Sequence, residues 1–281
     1  MKRILLSLLC VAMLTPATSA LAADKNTDGK QTNKIVMEAR QSKMEFTAIN
    51  VSRGVRLIIE DRNNGNIIIR AGKNVMPYIE LSVVDSELSV KISDKLQNVS
   101  NLSTDIYIPD NRRINKICAT GLASVVVKPT LATTELDISA TGASSVELNA
   151  TVSGKAEIGC TGVSRVAASL TADECEVQVK GASTAVLAGT VREADIEVAD
   201  ASKLDASGLK CAEIDAEVAG ASHLKARGTV CDIEASGASK AVVTCDGTLE
   251  AKATGASTIL YSGNCSLLKS SNIGASTIKK Q

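Results

Sequence analysis

The chain has 281 residues, with 31 lysines and arginines against 31 aspartates and glutamates, and 44% hydrophobic residues. It can therefore bury a sizeable core and is not disordered, yet with one Phe, three Tyr and no Trp that core is built from small aliphatic side chains. The neutral balance argues against a phosphate-driven nucleic-acid binder, and Phe46, Tyr78, Tyr107 and Tyr261 make no stacking platform for bases.

Residues 1–22 open with Lys2 and Arg3, continue with an apolar run from Ile4 to Leu14 and Pro16, and close with Ala20-Leu21-Ala22. That order predicts a secretory signal peptide cut between Ala22 and Ala23; the run is too short to span a bilayer. Leu8 and Leu9 precede Cys10 where a lipobox needs small residues, so lipidation is not expected. No later segment holds 18 consecutive apolar residues. The expected mature chain is exported and soluble, in the periplasm or at the cell surface, with no membrane span. Loss of Lys2 and Arg3 leaves it net negative. Residues 23–34 are polar and aperiodic, and read as a flexible leader.

Residues 35–116 alternate apolar and polar positions, which predicts strands. They fall at Val55-Arg56-Leu57-Ile58-Ile59, Asn66-Ile67-Ile68-Ile69, Ile79-Glu80-Leu81-Ser82-Val83, Leu88-Ser89-Val90-Lys91-Ile92 and Asp105-Ile106-Tyr107-Ile108-Pro109. Turns fall at Asn63-Asn64-Gly65-Asn66 and Ala71-Gly72-Lys73-Asn74. The expectation is a β-structured N-terminal cap that covers the open first rung of residues 117–281.

Residues 117–281 repeat. A Gly-Ala-Ser-like motif begins at Gly121, Gly142, Gly162, Gly181, Asp200, Gly220, Gly237, Gly255 and Gly274, at intervals of 17–21 residues. A recurrent period of this length marks a solenoid. Alternations such as Val146-Glu147-Leu148 and Cys231-Asp232-Ile233 make its units strands rather than helices. Gly154, Gly189, Gly208, Gly228, Gly247 and Gly263 supply further turns. The predicted fold is all-β: a single-stranded right-handed parallel β-helix with rungs of about 19 residues, the handedness following from the rule for parallel crossovers.

Stacking places repeated residues in file. Ser144, Ser164, Ser183, Ser202, Ser222, Ser239, Ser257 and Ser276 share one position and read as a hydroxyl ladder beside the turn. The single histidine, His223, follows Ser222 but stands where other rungs carry Ser145, Arg165, Thr184, Lys203, Lys240, Thr258 and Thr277, an exposed column. No catalytic residue and no cofactor is expected. The one irregularity near it is Asp200, which replaces a corner glycine. A second file, Asp137, Glu157, Glu176, Asp195, Glu213, Asp232 and Glu250, recurs every 18–20 residues. It reads first as a solvated acidic stripe neutralised by Lys155, Lys180, Lys203 and Lys252, and second as a loose Ca²⁺ or Mg²⁺ stripe. Without Cys10, seven cysteines remain; their spacings contain no Cys-x-x-Cys pair, so they read as small buried hydrophobes with at least one free thiol.

Phe46-Thr47-Ala48-Ile49-Asn50-Val51-Ser52, Glu87-Leu88-Ser89-Val90-Lys91-Ile92, Ile106-Tyr107-Ile108-Pro109-Asp110 and Ile117-Cys118-Ala119-Thr120-Gly121, followed by the Gly-Ala-Ser rungs, resemble the family described as putative auto-transporter adhesin, head GIN domain. The resemblance spans about residues 35–280. It implies an exported bacterial β-helix of Bacteroides-like envelopes, with no catalytic residues to carry over. The function expected is a non-enzymatic adhesion or binding module at the cell envelope with a surface or envelope ligand. A periplasmic scaffold joining copies through the solenoid ends is the alternative, and a polysaccharide-active β-helix enzyme the third.

Overall fold

The computed structural model describes residues 35–41, 45–61, 65–96 and 103–281. The signal segment 1–22, the leader 23–34 and the Asn63-Asn64 part of the first turn lie outside the described residues.

The chain is a β-solenoid of about nine turns with rungs of roughly 19 residues. No α-helix occurs among the described residues; Met76–Tyr78 form one short 3-10 turn. The expected strands are present as Val55–Glu60, Asn66–Gly72, Ile79–Val84, Glu87–Ile92 and Thr104–Pro109.

Two stacks of strands run the length of the rod. In the first, Lys116–Ala119 pairs in parallel with Leu136–Ala140, which pairs with Lys155–Cys160, which pairs with the second half of Arg165–Val179. In the second, Ser124–Thr133 pairs with Ser145–Val152, which pairs with the first half of Arg165–Val179. From there each rung is one long strand that contributes to both stacks: Thr184–Val198, Lys203–Val218, His223–Ala235 and Lys240–Gly255. A Gly-Ala-Ser corner joins the first stack to the second.

The rungs before residue 116 are not laid down in chain order. Ala48–Val51 lies between Glu87–Ile92 and Lys116–Ala119, and Val55–Glu60 lies between Thr104–Pro109 and Ser124–Thr133, all in parallel. The chain lays residues 48–60, leaves them for residues 66–109, and returns at 116 on their other side. Antiparallel strands close this end: Ile79–Val84 on the first stack, then Asn66–Gly72 and Ile35–Gln41 on the second.

Alternation decides what fills the tube, since every second side chain of a strand points inward. Buried and outward positions alternate along Ser145–Val152 and Lys155–Cys160. Fully buried Ile and Leu side chains run the whole length of the tube, from Ile49, Leu57 and Ile106 to Ile233, Leu249 and Ile259. Beyond Ala140 they are interspersed with many buried Ala and with Cys, in one continuous core. At the last rung several inward positions turn polar, with Ser270 beneath Ala251, Asn272 beneath Ala253 and Lys280 beneath Tyr261, while Leu267 beneath Leu249 and Ile278 beneath Ile259 stay apolar. Leu267, Leu268 and Ile273 are exposed there.

Candidate functional site

The corners set the register of everything else. All eight motif glycines have positive φ, from +71° at Gly121 to +85° at Gly274, and Asp200 adopts the same conformation at φ +67°. Stacking adds a second demand. The residue after each corner donates its N–H to the corner carbonyl one rung before, as in Ala182 to Gly162, Ala201 to Gly181, Ala221 to Asp200 and Ala238 to Gly220, at 2.7–2.9 Å except Ala221 at 2.6 Å. Asp200 satisfies this geometry with its side chain, since its carboxylate accepts the Gly181 N–H at 2.8 Å.

The serine file lies inside the tube. Ser222 and Ser202 have no exposed surface, and Ser164, Ser239 and Ser257 are equally buried. Their hydroxyls donate to carbonyls of the rung before: Ser164 to Ala140, Ser202 to Val179, Ser222 to Val198, Ser239 to Val218 and Ser257 to Ala235, at 2.8–3.0 Å. Ser222 also contacts the Ala219 carbonyl at 2.5 Å, three residues back in its own rung. His223 is exposed and pairs in register with Lys203 and Lys240. Adjacent strand residues point to opposite faces, so Ser222 and His223 form no dyad, and the Asp200 carboxylate is committed to the corner.

The acidic file differs from the sequence reading at one member. Strand register runs Asp137, Glu157, Glu176, Asp195, Asp215, Asp232, Glu250. Glu213 pairs instead with Glu193, one column aside. The cause is the corner: every true member stands five residues before its corner residue, whereas Glu213 stands seven before Gly220. Counting back from the glycine, rather than along the drifting period, identifies Asp215. The same count places Lys116 and Lys269 at the two ends of the file, and they pair with it there.

The face is wider than one column. Glu193, Asp195 and Glu197 stand abreast on one rung, and Glu213, Asp215 and Glu217 on the next. Cations neutralise its margins: Lys116 on Asp137, Lys155 on Glu157 and Glu176, and Lys180 on Glu197, each at 2.7 Å, with Lys252 on Glu234 at 2.9 Å. Lys203, expected among the neutralising lysines, stands on the other stack. Asp195, Glu213, Asp215, Glu217 and Asp232 make no ion pair among the described residues. No group of three or more His, Cys, Asp or Glu side chains among the described residues converges closely enough to hold a metal ion. The carboxylates stand in file, not in a cage. A shallow depression of about 200 Å³ opens over Gly159, where the outer column has no side chain, between Asp137, Glu157, Glu176 and Gln178.

Partial desolvation, then the neighbouring Asp232, Asp195 and Glu217, pushes the Asp215 carboxyl above its ordinary value; desolvation, Glu250 and Glu234 do the same to Asp232. A carboxyl raised in the folded state favours folding as it takes up its proton, so these two add stability as pH falls toward their folded values. Glu176 and Asp205, held below the ordinary carboxylate value by Lys155 and by Ser207 respectively, act oppositely and lose their contribution only at lower pH. Asp215→Asn is therefore expected to stabilise the protein at pH 7 by roughly 0.5 kcal/mol, the scale of like charges facing across strands. It should also remove the stabilisation that protonation of Asp215 adds as pH falls from about 7 to about 4, which calorimetry of both proteins at the two pH values checks.

All seven described cysteines are free thiols. Burial pushes the Cys175 thiol up to about 12 and Cys211 to about 11, and raises Cys231 further. A thiol held protonated is a poor nucleophile. In native protein, iodoacetamide should modify the half-buried Cys118 and Cys265 first, and should reach Cys160, Cys175, Cys211, Cys231 and Cys245 only on unfolding. Mass spectrometry of the alkylated chain counts the adducts.

The family model described as "Putative auto-transporter adhesin, head GIN domain" matches residues 45–230, most of the chain and the whole interleaved end. The chain belongs to this family. Solved structures share the GIN-family solenoid. A putative adhesin from Parabacteroides merdae superposes with a TM-score of 0.68 at 20% identity, covering 89% of this chain and 97% of its own. A putative adhesin from Parabacteroides distasonis gives 0.68 at 18% identity over 89% and 98%. A protein of the same species described as a putative lipid binding protein gives 0.66 at 19% identity over 87% and 96%. At these identities the likeness is one of fold. A search among curated proteins finds no match.

Proposed function

We propose that the chain is a non-enzymatic binding or adhesion module of the bacterial cell envelope, presenting a rigid solenoid whose outward columns contact a ligand. The observation that carries this reading is the division of roles around the tube. The repeated hydroxyls, which could serve as nucleophiles, are buried and bonded to carbonyls, while the repeated charges are displayed on open sheet. A catalytic site concentrates unlike groups at one point; these rungs present the same groups at successive levels. Family membership points the same way, and the export signal read over residues 1–22 supplies the compartment.

Protease shaving of intact cells, followed by an immunoblot, tests the placement. Loss of the band while a periplasmic control survives supports adhesion at the surface. Survival until the envelope is broken rules out contact with a host or neighbouring cell and leaves a periplasmic binder or scaffold.

A further inference from the structure

Among the described residues, one exposed column of unpaired charge lies on each stack, acidic on the first and basic on the second, a feature independent of any ligand. On the first stack, Asp195, Asp215 and Asp232 point outward on consecutive strands, without an ion pair among the described residues. On the second, Lys203, His223 and Lys240 form an outward column, also on consecutive strands and also exposed. Lys203 and Lys240 likewise make no ion pair among the described residues. Both columns run through one set of stacked strands, so their teeth share a spacing of about 4.8 Å per rung.

We propose that this protein associates side by side with further copies of itself, the acidic face of one rod lying along the Lys203-His223-Lys240 column of the next. Equal pitch is the argument for a second copy over another cationic partner. An extended basic peptide presents like-facing side chains about 6.6 Å apart, two residues at about 3.3 Å each, and falls out of step within a few rungs. A second copy stays in step throughout. The approach of a lysine column also offsets the repulsion that neighbouring carboxylates add to desolvation at Asp215 and Asp232. The ends offer less: one is closed by antiparallel strands, and the other turns Ser270, Asn272 and Lys280 toward the axis. Because the two contacting faces differ, the contact is heterologous and builds rows.

The test is sedimentation of the purified protein across a concentration series, with two variants. In one, Lys203→Glu and Lys240→Glu make both faces acidic; in the other, Asp195→Lys, Asp215→Lys and Asp232→Lys make both basic. At about 20 mM salt the unmodified protein should show a mass that rises with concentration, and about 0.5 M salt should weaken this at least tenfold, because the screening length falls well below 10 Å. Each variant alone should stay a single chain, and an equimolar mixture should associate into alternating rows, since both faces of one variant complement both faces of the other. Far-UV circular dichroism and melting curves establish that both variants are folded. A single chain at all concentrations in low salt overturns the proposal. So does association that salt leaves unchanged, or a mixture that does not associate. None of these outcomes bears on ligand binding, so the adhesion reading stands or falls separately.

Discussion

Gly189→Ala is expected to lower the melting temperature by roughly 10 °C, while Gly159→Ala leaves it within about 2 °C. The two glycines sit in the same tube, with the rung Arg165–Val179 between theirs, but answer to different constraints. Gly189 has φ +117°, and a Cβ placed on it would overlap the Leu170 carbonyl oxygen of the rung before. Neither the conformation nor the space accepts a side chain, and the clash is with backbone, which cannot swing away. Strain at such a position costs about 1–3 kcal/mol; displacing the neighbouring rung brings the total to about 4 kcal/mol, the upper range for a point change. At about 2–4 °C per kcal/mol for a chain of this size, a loss of roughly 10 °C results. Gly159 has no such φ, and its added Cβ would meet only the Ile138 carbonyl oxygen at 3.7 Å, an ordinary contact. Calorimetry on the pair separates a glycine required by the backbone from one that merely leaves a notch.

Ser222→Ala should cost about 2 kcal/mol, or roughly 4–8 °C, although it removes a single oxygen. The Ser222 hydroxyl contacts both the Val198 and the Ala219 carbonyls at a position with no solvent access. Without it the Val198 carbonyl keeps only the Ala219 N–H at 2.8 Å, the Ala219 carbonyl loses this donor, and a buried hydrogen bond left unmade costs about 1–3 kcal/mol. Ser276 makes the equivalent bonds to Ala253 and Ile273 in the exposed last rung. Ser276→Ala should shift the melting temperature by less than about 1 °C, because Ser276 lies in the open last rung and solvent can replace the hydroxyl at the exposed Ile273. Equal losses at the two positions would show that the hydroxyl matters through its own rung and not through burial.

How far the sequence alone carries is uneven along the rod. The solenoid was legible because one backbone conformation, a left-handed corner, recurs and selects Gly at eight of nine positions; the exception, Asp200, supplies a side-chain acceptor in compensation. The serine ladder was legible from the same corner, but not that it faces the inside of the tube. The acidic file was legible except for Glu213, because the period drifts by several residues while the distance from strand to corner does not. The interleaving of residues 48–60 was not legible. Their strands have the same alternation as those of residues 87–109, and alternation tells which side of a strand is buried without telling which strand lies beside it. The division of charge between the two stacks was hidden for a related reason: Asp195 and Lys203 are eight residues apart in the chain, and only the intervening corner sends them to different faces.

The interleaved end also bears on how this molecule can change in length. Beyond Gly142, each rung touches only the one before and the one after, so an inserted or deleted copy of about 19 residues adds or removes one layer and leaves the rest in place. The segment 48–60 has no such freedom, because it is held from both sides by strands that follow it in the chain. Lineages of this protein are therefore expected to vary in the number of Gly-Ala-Ser layers while keeping a head of constant size, so that the reach of the rod is set by duplication at one end only.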